Sequence, residues 1–156
     1  MKNTHVVITA TLMRILLGWY MFVDGYQILT TPHWSSHDFL VNAKMFPAFY
    51  AWFAQPTQLW WVDLLNPWGV TLIGAALILG LFVRPAAWAG VVLMLLYYFP
   101  QYNLPVVPHG YIVEFHLIYA AMFATIATLP AAQTFGLSRL ARNTFFSSIP
   151  VLWRFI

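Results

Sequence analysis

Four long, continuously apolar runs limit what this chain can fold into more than any other feature. They cover about residues 6–29, 64–83, 86–102 and 111–129. A helix needs about 20 mostly apolar residues to cross a hydrocarbon core roughly 30 Å thick, and each run is close to that length. A transmembrane barrel would instead show many segments of about ten alternating residues. Composition agrees with the runs: 62% of residues are hydrophobic and only 7% are charged, against roughly 25% charged in an ordinary soluble domain. So few charges cannot cover a water-soluble surface, which excludes a soluble enzyme and a disordered linker. The net charge is only +3 with no cluster of Lys and Arg, whereas phosphate-backbone binding needs one, so nucleic acid is excluded as a partner. The expected class is an all-α integral membrane four-helix bundle formed by residues 1–136, with the lipid bilayer as its first partner.

Polar and Pro-rich breaks separate the runs. Thr30-Thr31-Pro32 closes the first, Asn66-Pro67 interrupts the second early, and Arg84-Pro85 ends it. Asn103, Pro105 and Pro108 end the third, and Leu129-Pro130 ends the fourth. The first run is too long for a cleavable leader and holds Arg14, so it reads as a permanent span. There are no cysteines, which excludes disulfides and thiolate metal sites.

Charge placement sets the expected orientation. Lys2, Arg84, Arg139, Arg142 and Arg154 fall on one side of a four-span arrangement and Lys44 on the other. The positive-inside rule then puts both termini in the cytoplasm, as in a prokaryotic inner membrane. Asp24, Asp38, Asp63 and Glu114 lie toward the outer side, as do His33, His37, His109 and His116, leaving His5 inside. Ionisable chemistry is therefore expected near the outer face.

Residues 31–61 are too long for a tight turn and too aromatic for a solvated loop. An outer interfacial segment is expected there, with a short amphipathic or re-entrant helix around 43–54. Trp34, Trp52, Trp60, Trp61 and Trp68 cluster at this boundary, as an aromatic belt does. A lid or partner contact is the other reading. The basic tail, 137–156, alternates Arg139, Arg142 and Arg154 with apolar clusters. It is expected to lie along the inner interface against anionic headgroups or to dock on another membrane subunit.

Within the spans, Arg14 shares one helical stripe with Gly18 and Gly25. A guanidinium at that depth faces a partner or cavity, or snorkels or caps a carbonyl. Asp24 is ten residues on, about 15 Å in rise and turned roughly 80°, so the two are not a direct pair. Gly69, Ile73, Ala76 and Gly80 form a small-residue packing stripe in the second run, with Asp63 and Asn66 as capping residues before it. In the fourth run, Glu114 complements the helix dipole. His116 can bond a quinone carbonyl, ligate a haem or pigment, or satisfy a buried carbonyl. Glu114 and His116 are two residues apart and point to opposite sides of the helix, so a ligand common to both is not expected. His33 and His37 stand at i, i+4, a spacing able to hold zinc or copper if helical. They are weak metal candidates, because no wider motif accompanies them.

Several of these stretches together resemble the DoxX family of small four-helix membrane proteins, over roughly residues 12–129. They are Arg14-Ile-Leu-Leu-Gly18 with Gly25, Asn66-Pro-Trp68-Gly69 leading to Leu72, and Gly80-Leu-Phe-Val-Arg84. Glu114 with Leu117-Ile-Tyr119 completes the set. The resemblance implies four antiparallel helices with both ends inside. Through members similar to the small subunit of thiosulfate:quinone oxidoreductase, it also implies action at the quinone pool. After Pro130 the chain departs from the family, carrying its basic extension in place of a short Gly-rich tail.

Two functions are expected from this. One is a subunit of a respiratory or other electron-transfer complex that helps form a quinone site. Arg14 would stabilise charge there, His116, Tyr119 and Asp24 would bond or relay protons, and Trp19 and Tyr20 would stack on the ring. The alternative is a non-catalytic accessory subunit of a larger energy-transducing complex, with His116 contacting a pigment or haem. A transporter is the weaker reading, because the two halves of the chain show no repeat.

Overall fold

The protein's structure, a computed structural model, describes residues 4–108 and 110–138. Lys2, His109 and the basic tail residues 139–156 lie outside the described residues. Among the described residues the chain forms α1 (Thr4–Thr30), α2 (His37–Val41), α3 (Pro47–Phe53), α4 (Pro56–Leu79) and α5 (Val83–Gln101). A two-stranded hairpin follows, β1 (Val106–Val107) and β2 (Gly110–Tyr111), then α6 (Phe115–Thr128) and a 3-10 turn over Pro130–Gln133.

Three of these helices, α1, α4 and α5, are long and apolar enough to cross a membrane. Each is apolar around its circumference. One stripe packs inward while Leu12, Leu16, Trp19, Leu65, Leu72, Trp88 and Val92 stay exposed, which suits a lipid solvent and not water. α6 has 14 residues, about 21 Å of rise, and is shorter than the run 111–129 because residues 110–114 are spent on the hairpin and an extended lead-in.

The second helix departs most from its expected bounds. It begins at Pro56, not near 64, and runs through Pro67 without ending. Pro56 occupies the first turn, where its missing N–H costs nothing. Pro67 is buried inside the helix. Thr71 Oγ1 donates to the Pro67 carbonyl at 2.7 Å, and neighbouring helices help absorb such a break in a membrane segment.

α1 packs along α4, and α5 along α6. The α1–α4 contact is backbone on backbone: a Cβ added at Gly74 would stand 2.4 Å from the Phe22 nitrogen and 2.7 Å from the Gly18 oxygen. The packed face of α4 is Val70, Ile73, Gly74 and Leu77; of the expected stripe Gly69, Ile73, Ala76 and Gly80, only Ile73 lies on it. Gly69 faces open space, and Gly80 is the left-handed C-cap at φ 69°, where glycine is favoured. On the other side, Gly90 of α5 receives the Phe123 ring of α6.

The segment 31–61 holds two short helices, not one, plus the first turns of α4. Its attachment follows from a proline. Pro100 has no N–H to offer Leu96, and Tyr50 Oη donates to that free Leu96 carbonyl at 3.0 Å. The Lys44 amide donates to the Pro100 carbonyl at 2.8 Å. Asp63 lies within α4, not before it, and accepts from Ser35 Oγ at 2.7 Å and from the Ser36 amide at 2.8 Å. The aromatic segment is thereby fastened as a cap over one end of the bundle.

Candidate functional site

Arg14 sits at the end of the bundle opposite the cap and is almost wholly buried. Its Nη1 donates to the carbonyl of Ala132 at 2.8 Å and to that of Phe135. The chain after α6 closes on the same place. The Leu137 amide donates to Leu79 O at 2.9 Å, and Gly136 lies against Gly80 so closely that a Cβ on either would meet the other's backbone. Arg14 is thus a clamp on backbone carbonyls, and the structure does not bring it to the other candidate residues. Trp19 is also placed apart from them, 61% exposed on the lipid side of α1.

The other four come together. Tyr20 and Asp24 from α1, and His116 and Tyr119 from α6, line one cavity of about 230 Å3 beneath the cap. Met21 completes the α1 wall, Phe115 the α6 wall, and Met94, Tyr97 and Gln101 supply α5. Tyr20 and Tyr119 pack ring against ring at 5.0 Å between centroids. Tyr97 meets His116 edge-on at 6.1 Å and hydrogen-bonds Asn66 Oδ1 of α4. The three α5 residues went unrecognised in the sequence, although Met94, Tyr97 and Gln101 at spacings of three and four already lie on one helical face.

Glu114 and His116 do not point apart. Glu114 is extended, at φ −141° and ψ 167°, and caps α6 from outside the helix. Its Oε2 accepts from the His116 amide at 3.0 Å and faces His116 Nδ1 at 2.7 Å. The opposite-face expectation assumed both residues were helical, and the cap conformation removes that premise. Burial works against the charged form of Glu114, but hydrogen bonds from the His116 amide and ring and from Tyr102 hold its carboxyl below the usual carboxylate range. A carboxylate on Nδ1 fixes the proton there and leaves Nε2 as the reactive nitrogen. Asp24 has no hydrogen-bond or ion-pair partner among the described residues, and it lines the same cavity as His116.

The histidine pair in the capping segment is arranged differently. His33 lies in the turn before α2 with φ 57°, and His37 is the first residue of α2, so the two do not share a helical face. His37 Nδ1 faces its own neighbour Asp38 at 3.2 Å. Among the described residues, no group of three or more His, Asp or Glu side chains is placed to hold a metal ion.

These features define a small helical integral membrane protein with a polar-aromatic cavity at one end of the bundle. The model of the DoxX family matches residues 9–101, more than half of the chain, and the protein belongs to that family. No curated protein and no solved structure matches it.

Proposed function

We propose that this DoxX protein is a subunit of a membrane electron-transfer complex and binds a quinone headgroup in the cavity beneath its cap. The observation that carries this reading is the Glu114-braced His116 facing unpartnered Asp24 between aromatic walls. A quinone, when bound, supplies redox chemistry that exchanges electrons together with protons. The chain's own residues match its needs. The Gln101 amide is a donor for a carbonyl, His116 Nε2 is an acceptor for a hydroxyl of the reduced ring, Asp24 can hold a proton beside it, and Tyr20, Tyr119 and Phe115 offer faces for a flat ring. The cavity volume suits a single ring better than a porphyrin macrocycle, which favours quinone over haem or pigment at His116. In this reading α6 completes a four-span bundle in a prokaryotic inner membrane with both termini inside, and other subunits supply the redox partner. Arg14 and Trp19 are no part of the site.

Purified protein titrated with a short-chain, water-soluble quinone tests this directly through quenching of tryptophan fluorescence. Saturable binding is expected, weakened at least tenfold by His116→Gln and by Asp24→Asn and unchanged by Trp19→Leu. Absence of saturable binding by the unmodified protein would sink the reading.

The second reading, an accessory subunit without a catalytic part, is favoured by the elaborately fastened cap. Its exposed Phe46, Phe49, Trp52 and Trp60 are suited to a protein neighbour as well as to the lipid interface. Co-purification in mild detergent of a larger assembly, with no quinone binding, is the outcome that selects it.

A further inference from the structure

Asp24 borders two cavities, and only one of them contains His116. The second, also about 230 Å3, is lined by Asp24 and Ile28 of α1, Trp34 and Ser35 of the cap, Asn66 of α4, and Tyr97 and Gln101 of α5. Asp24, Tyr97 and Gln101 line both. The second cavity therefore continues from Asp24 to the Ser35–Ser36 turn held by Asp63, which is the cap's own edge. Asp24 lies six residues before the end of α1, about 9 Å of rise below it. In the other direction the way is shut. Met21 and Leu17 below Asp24 are 1% and 3% exposed, and beyond them the Arg14 clamp and the Gly80–Gly136 contact close the bundle.

We propose that this crevice is a one-sided proton passage, through which Asp24 exchanges protons with water at the cap side of the membrane and with that side alone. A carboxylate without a partner inside a membrane helix persists where it has a function or reaches water. The crevice is walled mainly by apolar surface, Phe39 included, but Asp24, Ser35, Asn66 and Gln101 are spaced along it, and a space of this volume has room for water with those groups as partners. In the step proposed, a hydronium ion from the cap-side water passes its proton along the crevice water to the Asp24 carboxylate, leaving the water neutral. The resulting acid passes the same proton to an acceptor on the His116 side, and no electron moves. The titratable groups that face Asp24 from its surroundings are Tyr20 on its own helix, Tyr97 on α5, and His116 and Tyr119 on α6, with Glu114 behind His116 and Asp63 behind the serines. The proposal deepens the site described above by assigning its protons to one side, and it rests on that reading only for what finally accepts them.

The test uses the full chain in lipid vesicles and no quinone. The infrared band of the Asp24 carboxyl, identified by its loss in Asp24→Asn, is followed after a pH step applied to one side of the membrane. The cap's sidedness is established separately by protease access to the 31–55 segment. The expected result is a prompt response to a step on the cap side and none, on the same timescale, to a step on the other. Ile28→Phe, which fills the crevice one turn above Asp24 without bordering the His116 cavity, should slow the response at least tenfold, while Ile28→Ala leaves it as fast or faster. Responses from both sides, no response at all, or an Ile28→Phe variant that folds and responds at the original rate would each overturn the proposal. Failure of quinone binding alone leaves it standing.

Discussion

Two ionisable residues of α1, one toward each end of the bundle, are treated in opposite ways. Arg14 is buried with a Nη1 that meets two backbone carbonyls of the chain after α6. Asp24, on the same helix, meets no partner among the described residues and borders two cavities. A charge within a membrane helix is costly in either place. At the Arg14 end the cost is offset by hydrogen bonds that hold the chain together, so the residue is structural. At the Asp24 end nothing comparable is gained, and the residue is free to act on something else. Depth in the membrane is therefore a poor guide to function, and partnership is the better one.

Exchanging the two residues for neutral ones gives the sharpest test of that contrast. Arg14→Met leaves the buried Ala132 carbonyl and the partly buried Phe135 carbonyl without this donor. Hydrogen bonds to charged groups contribute about 1.5–3 kcal/mol each, so a loss of about 3–5 kcal/mol is expected, with residues 130–138 becoming open to proteolysis. Asp24→Asn should change stability by less than about 0.5 kcal/mol or raise it, because no native bond is lost. Unfolding in detergent, followed by circular dichroism, compares them. Equal losses for the two variants would erase the distinction between the ends.

The contrast also requires that α1 and α4 be in backbone contact, since that contact sets both the clamp and the cavity wall. Gly74→Ala places a methyl 2.4 Å from the Phe22 nitrogen, where only movement of a whole helix can relieve it. Overpacking of this kind costs about 1–3 kcal/mol. Gly69→Ala, five residues earlier with nothing within 4 Å, should lie within about 0.5 kcal/mol of the parent. The same unfolding measurement separates them.

How far the sequence led depended on whether one residue type had one meaning. Asp24 and His116 stood out because charge and imidazole are rare in such a chain, and both line the cavity. Arg14 stood out for the same reason but is a clamp, because rarity does not tell where a carbonyl will be. Tyr97 carries no signal of its own in a chain with so many aromatic residues, and only the α4–α5 packing brings its hydroxyl to Asn66. Pro67 read as a break, yet in a bundle the helix continues through it. Glu114 was assigned a helical position and so was turned away from His116. A shift of one residue, from first turn to cap, reverses that geometry. Class and family were readable because they rest on long apolar runs and a motif, whereas the site rests on contacts between helices.

The Glu114 cap places an acid dependence on the cavity end that the Arg14 end lacks. A carboxyl held below its ordinary range contributes stability that is present above that range and lost as the pH falls through its folded value. Glu114→Gln keeps a cap acceptor and removes the titration. It should cost about 1–2 kcal/mol near neutrality, with the gap to the parent closing as the pH drops below the ordinary carboxylate range. A gap independent of pH would mean that the His116 brace does not depend on the charge.

The smallest expected effect tests how firmly the cap is fastened. Tyr50 Oη donates to the Leu96 carbonyl that Pro100 leaves free, and Tyr50→Phe removes only that donor. A neutral hydrogen bond contributes about 1 kcal/mol, and the Phe39–Phe53–Leu59 cluster around the ring is kept, so a loss near 1 kcal/mol is expected. The double variant Tyr50→Phe with Pro100→Ala should recover most of it, because a residue with an N–H at 100 can take the Leu96 carbonyl back into the helix ladder. Recovery would show that the proline and the tyrosine act as one device, holding the cap over the end of the bundle where Asp24 meets water. A double variant no better than the single one would leave the cap resting on its ring contacts and on the Asp63 bonds to Ser35 and Ser36 alone.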